Sequence, residues 1–95
     1  MQLLSFNLVG TGATLALADG ATGVPKKCKW FQILNVDADV LNIGGAETDS
    51  THGYPIDTTG ANFQPPIALT MEFYDMTAIN FFLSNAANGV LLCAV

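Results

Sequence analysis

"DMTAINFFLSNAAN", residues 75–88, decides whether this chain contains a helix or is built from strands alone. Asp75 has the chemistry of a helix N-cap, and Ile79, Phe82, Leu83, Ala86 and Ala87 recur at helical spacing. Against this, the run carries the adjacent aromatics Phe81 and Phe82. It also ends at Asn88-Gly89, a tight-turn signal that leads into a second apolar run, "GVLLCAV". We read the segment as a strand followed by a hairpin into the terminal strand. On that reading the chain is all-β.

The flanking segments agree. In "LLSFNLV", Leu4, Phe6 and Leu8 alternate with Ser5 and Asn7. In "IALTMEFY", residues 67–74, Ile67, Leu69, Met71 and Phe73 alternate with Ala68, Thr70, Glu72 and Tyr74. Period-two alternation sends one face of a strand to a core and the other to solvent or a partner. "TLALA" at 14–18 and "DVLNI" at 39–43 are shorter versions. "KWFQILNV" at 29–36 is apolar on both faces except at Gln32 and Asn35, as a strand covered on both sides would be. Between these runs lie "ADGATGVP", "DAD", "GGAETDSTHGYP" and "TTGANFQPP", all rich in turn formers. The expectation is a small β-sandwich or jelly-roll-like barrel of seven to eight short antiparallel strands, in one domain over residues 1–95.

Composition narrows the function. The chain has 95 residues, of which 51% are hydrophobic and 12% charged, and its mean hydropathy is +0.41. An average domain has about twice that charged share, and a domain this small buries only about 60% of its unfolded surface. Apolar surface is therefore left over, and such patches mark contacts with other chains. The longest apolar runs fall far short of the roughly 20 residues of a spanning helix. "MQLLSFNLVG" lacks the basic opening and long apolar core of a signal peptide, so assembly in a cytosol-like compartment is expected. No membrane partner is expected.

Net charge is −5, and Lys26, Lys27 and Lys29 are the only basic residues. Three lysines against eight acids cannot displace counterions along a phosphate backbone, which argues against nucleic acid. "PKKCK" reads either as a solvated edge-strand start or as a basic spot docking an acidic patch on a neighbour. Cys28 and Cys93 read as reduced, apolar thiols, and with one histidine they do not complete a zinc set.

His52 lies among Asp49, Ser50, Thr51 and Asp57, but a nucleophilic relay needs spatial order and an oxyanion site, whereas turns collect these residues on their own account. Gly53 and Pro55 make "HGYPI" a corner that places Tyr54 against the core or on a contact surface. "DAD" at 37–39 and "ETD" at 47–49 lack the order of a calcium loop. "GTGATL" at 10–15 has Leu15 where a dinucleotide fingerprint needs its third glycine, and reads as a turn between the first two strands. Asp19, Asp37 and Asp39 have no evident cleft to tune them for acid–base work. Trp30 reads as a buried anchor rather than a sugar platform. No catalytic, cofactor or metal residue is assigned, and the chain is expected not to be an enzyme.

The order of these pieces resembles a group of small tailed-phage virion proteins. The resemblance covers most of residues 11–95 and rests on "WFQILN", "DVLNIGG", "STHGYPI", "IALTMEFYD", "DMTAINFFL" and "NGVLLCAV". The chain departs from the pattern at "AETDSTH" and "FQPP". The resemblance implies a head decoration (cement) protein: a β-sandwich subunit, commonly a homotrimer, bound to a major capsid protein or another virion part. A closed ring would bury one flank of each subunit. Residues 2–9 are expected to form a strand or arm contacting a neighbouring chain. The expected partner-contact residues are Leu4, Phe6, Leu8, Lys26, Lys27, Lys29 and Tyr54. The alternative is a tail or fibre-tip module reading host glycans through Trp30, Tyr54 and nearby acids.

Overall fold

The computed structural model describes residues 2–65 and 72–95, so the strand expected over 67–74 lies outside the described residues as far as Met71. The described chain is all-β. Its ten short antiparallel strands are β1 (Leu3–Val9), β2 (Thr14–Ala16), β3 (Lys27–Cys28), β4 (Trp30–Asn35), β5 (Leu41–Gly44), β6 (Tyr54–Pro55), β7 (Asn62–Phe63), β8 (Tyr74–Asp75), β9 (Asn80–Leu83) and β10 (Asn88–Ala94). Four of the strands have only two residues; β3 falls in the expected edge-strand start "PKKCK" and β8 at the end of the expected 67–74 strand, whereas β6 and β7 are too short to show alternation. Among the described residues there is no helix, and hence none long and apolar enough to cross a membrane.

The strands form a first sheet in the order β1-β10-β4-β7, a second in the order β2-β9-β5-β6, and a small ladder of β3 with β8. The first and second sheets enclose the core. Pleating decides what faces inward. In the first sheet the register sets Leu4 beside Cys93 and Phe31, and Phe6 beside Leu91, Ile33 and Phe63. In the second it sets Leu15 beside Phe81 and Ile43, and Leu83 beside Leu41. Phe31, Ile33, Leu41, Phe81, Leu83 and Leu91 are at most 2% exposed.

Residues 75–88 resolve as strand, but in two pieces with a turn between them. Asp75 does cap something: its carboxylate accepts from the Thr77 N–H and hydroxyl, closing the turn before β9. The expected hairpin at Asn88-Gly89 is not formed. Asn88 opens β10, while β9 belongs to the other sheet. The chain crosses between sheets at residues 84–87, with Ala86 at φ 65°. Gly10 makes the crossing possible. Its N–H donates to the Ala87 carbonyl at 2.8 Å, its carbonyl accepts from Ala86 N–H at 2.9 Å, and a Cβ there would sit 1.8 Å from the Ser84 carbonyl oxygen. The first connection, 10–13, likewise passes from sheet to sheet.

One buried polar residue ties the loops to this frame. Asn35 is fully buried; its amide donates to the carbonyls of Asp39 and Ile56, both at 2.7 Å, and its oxygen accepts from Asp37 N–H at 3.1 Å. Removing a partner from buried carbonyls leaves them desolvated and unpaired. Asn35→Ala should therefore lower unfolding free energy by about 2–3 kcal/mol, seen as a lower urea midpoint with an unchanged slope.

Candidate functional site

Turn chemistry accounts for most of the polar residues that drew notice in the sequence. The Asp49 carboxylate accepts from Thr51 N–H at 2.9 Å, His52 N–H at 2.8 Å and the Thr51 hydroxyl at 3.1 Å, and lies 2.7 Å from His52 Nδ1. Ser50 and Asp57 take no part in this network. The group stands in open solvent, with the His52 side chain 65% exposed. It is a loop lock: Asn42, buried in β5, donates to the Asp49 carbonyl at 2.8 Å, and the Thr48 hydroxyl donates to Gly45 at 2.7 Å. Asp37 likewise accepts from the backbone and side-chain nitrogens of Asn88, fastening the start of β10. Among the described residues no three His, Cys, Asp or Glu side chains converge on a possible metal position.

The thiols of Cys28 and Cys93 are buried and unlinked. Burial first, and the neighbouring Cys93 second, push Cys28 up to about 12. Burial also raises Cys93.

Two surface features remain. The first is the outer face of the β1-β10-β4 sheet. The same register that buries one set of residues brings Leu3, Ala94 and Trp30 into one row, in which Ala94 is covered and only 1% exposed. It brings Ser5, Leu92 and Gln32 into the next, and Asn7, Val90, Leu34 and Asn62 into a third. Leu3 is 60% exposed, Val9 58%, Leu34 37% and Val36 41%. No residue of these three strands is charged. Soluble antiparallel sheets ordinarily put polar side chains on their outer face. The two-faced apolar character of "KWFQILNV" therefore has a different cause from the expected one: β4 has one face in the core and the other half-buried at Trp30 and Gln32 and exposed at Leu34. Trp30 is half-buried on the open face, and the buried aromatic is its neighbour Phe31.

The second feature is a cavity of about 540 Å³ at the open end of the sandwich, bounded by Phe31, Ile43, Tyr54, Phe63, Tyr74 and Ile79. Its rings interlock, Tyr54 with Phe63 at 5.5 Å, Phe31 with Phe63 at 6.0 Å and Phe31 with Tyr74 at 5.6 Å. Tyr54 forms the rim and is 60% exposed. Trp30 points from the opposite face of β4, so the two aromatics of the glycan reading are not brought together.

The expected contact residues are scattered. Leu8 has no exposed surface; it belongs to the chain's own core and offers a neighbour nothing. Leu4 and Phe6 are half-buried against that core. The residues that β1 shows to solvent are instead Leu3, Ser5, Asn7 and Val9. Nor is residues 2–9 a free arm, since β1 pairs with β10 of the same chain along its whole length. Lys26 and Lys27 are exposed, and Lys29 Nζ lies 5.9 Å from the centre of the Phe73 ring. Leu34, Val36, Val90 and Leu92 were missed as surface residues, although the apolar outward positions of "KWFQILNV" were their signal.

No protein-family model matches the chain, and no curated protein or solved structure matches it.

Two outcomes follow from this geometry. The Thr51 N–H, then the His52 hydrogen bond, hold Asp49 at about 2, below its ordinary 3.8. A depressed carboxylate contributes stability that is present above its ordinary value and lost as pH falls through the folded one. The 49–52 lock should thus persist at pH 4 and open near pH 2, visible as loss of the Thr51 and His52 amide shifts in an acid titration. Separately, Cys28 and Cys93 should not react with a thiol reagent at pH 8 in the folded protein, and both should react in denaturant.

Proposed function

We propose that this chain is a non-enzymatic virion structural protein, a head decoration or cement subunit that self-associates and stabilises a phage capsid from outside. One observation carries the reading: an uncharged, largely apolar sheet face left open to solvent by β1, β10 and β4. Water contact at Leu3, Val9, Leu34 and Val36 is costly, at about 25 cal/mol per Å² of apolar surface, and is relieved when a second surface covers them. The motif order described above supplies the virion context. Many copies on a repeating lattice make weak individual contacts strong in sum. No acid lies on β1, β10 or β4, which leaves this face free of the repulsion that a net charge of −5 would otherwise impose.

The aromatic cavity supports a second reading, a tail or fibre-tip module that grips host glycans. Under it the contact residue is Tyr54, and Tyr54→Ala should abolish glycan retention. The two readings also differ in copy number, high on a head and low on a tip.

Leu34→Glu with Val36→Glu should leave the far-ultraviolet spectrum and thermal midpoint close to those of the parent, because both side chains are already exposed. The same pair should lower retention on purified capsids by at least tenfold in co-sedimentation. Parent-like retention would remove the sheet face from the interface.

A further inference from the structure

We infer that the free edge of β1 is a self-pairing site, joining two copies about a two-fold axis into one continuous eight-stranded sheet. The inference rests on the assembling role proposed above, and names the contact through which copies of the chain meet.

Hydrogen-bond parity defines the edge. Gln2 and Val95 exchange both backbone bonds, at 3.2 and 2.9 Å, and Gly10 N–H bonds Ala87 at 2.8 Å. Bonded and non-bonded pairs alternate along an antiparallel ladder. The even-numbered residues of β1 therefore face β10, and the N–H and C=O groups of Leu3, Ser5, Asn7 and Val9 point away from it. Among the described residues β1 is the end strand of its sheet. Natural sheets protect such edges with lysine, proline, bulges or brevity. β1 has seven residues, no charge, no proline and an unbroken register. The other end strands of the two main sheets are protected: β2 has three residues, β7 two, and β6 two including Pro55.

The register follows from the sequence. Pairing β1 with a second β1 in antiparallel sense, centred on Phe6, puts every outward-pointing residue opposite another. Leu3 then meets Val9 and Ser5 meets Asn7, apolar against apolar and polar against polar, with Phe6 beside its own copy on the axis. Shifting the centre to Ser5 or to Asn7 leaves one outward residue without a partner. Charge agrees with the antiparallel sense. Lys29 adjoins the Leu3 end of the sheet through its bond to Ala94, and Asp37 adjoins the Val9 end through Asn88. In the pair, the basic end of one copy lies along the acidic end of the other. Both charges flank β4, two strands in from the edge, so with a Debye length of about 8 Å at physiological salt they are largely screened and favour the antiparallel encounter only at low salt.

Area sets the strength. A seven-residue edge is about 24 Å long and, at a sheet thickness of about 10 Å, covers roughly 240 Å² per copy. A standing complex uses about 800 Å² per partner. The pair is accordingly weak in dilute solution and fills when copies are crowded on a surface. It also differs from the three-fold ring that the family resemblance implies, because a ring needs β1 to meet a different edge, and the others are too short to take it.

Disulfide trapping tests the register. In a bonded antiparallel pair the Cα atoms lie about 5.5 Å apart, within disulfide range, and the native thiols are buried. Ser5→Cys and Asn7→Cys, prepared as separate variants, mixed at high concentration and oxidised, should give the mixed Ser5→Cys/Asn7→Cys dimer several-fold over either like-with-like dimer. Equal yields, a like-with-like excess, or no cross-linking would overturn the pairing. Ser5→Lys with Asn7→Lys should abolish sedimentation-detected dimers without lowering the thermal midpoint, and persistence of those dimers would also overturn it. Capsid retention separates the two ideas. Selective mixed cross-linking without capsid binding refutes the capsid role and leaves the pairing intact; capsid binding without mixed cross-linking does the reverse.

Discussion

β1 and β10 lie side by side over seven residues, so the two ends of the chain must meet before the first sheet exists. Everything else is hung on that ladder. β10 is the shared middle strand, pairing β1 on one side and β4 on the other. Through it, Leu4 and Phe31 come to flank Cys93, and Phe6 and Ile33 come to flank Leu91. Closing a loop of this length costs entropy that must be met before distant contacts return any stability. The return comes from Leu8, Ile33, Leu41, Phe81 and Leu91, all lost to solvent between the two sheets.

The distribution of charge is the other constraint. Acidic residues sit in the turns or, like Asp75, at a strand end, and Asp37, Asp49 and Asp75 each accept backbone N–H groups and so hold the loops in shape. The three longest strands of the first sheet, β1, β10 and β4, carry none. A small sandwich can satisfy its backbone this way and still leave an outer face that water covers poorly. That face and the open edge of β1 adjoin, and edge pairing leaves the face itself uncovered. The cavity is chemically separate, built from rings that also serve the core.

The all-β character was legible because Phe81, Phe82 and the alternating runs outweigh the helical spacing of residues 79–87. The inward residues of β1 and β4 were legible for the same reason. Less legible was the destination of each strand. Asn88-Gly89 has the chemistry of a tight turn, yet Gly89 is needed elsewhere: a Cβ there would press against the Leu34 carbonyl oxygen at 3.2 Å. The two-residue strands at Tyr54–Pro55 and Asn62–Phe63 are too short for a periodic signal, and exist because neighbouring strands offer them a partner.

The sequence by itself determined that the backbone would extend, that the turns would be acidic and glycine-rich, and that apolar surface would be left over; these are local properties of side chains and composition. Only the tertiary structure decided where that surface lies. Leu4, Phe6 and Leu8 share a strand with Leu3 and Val9, and nothing in their own chemistry says which set faces the core. The second sheet makes that choice, because among the described residues it packs on one side of β1, β10 and β4 and leaves Leu3, Val9 and Leu34 exposed on the other.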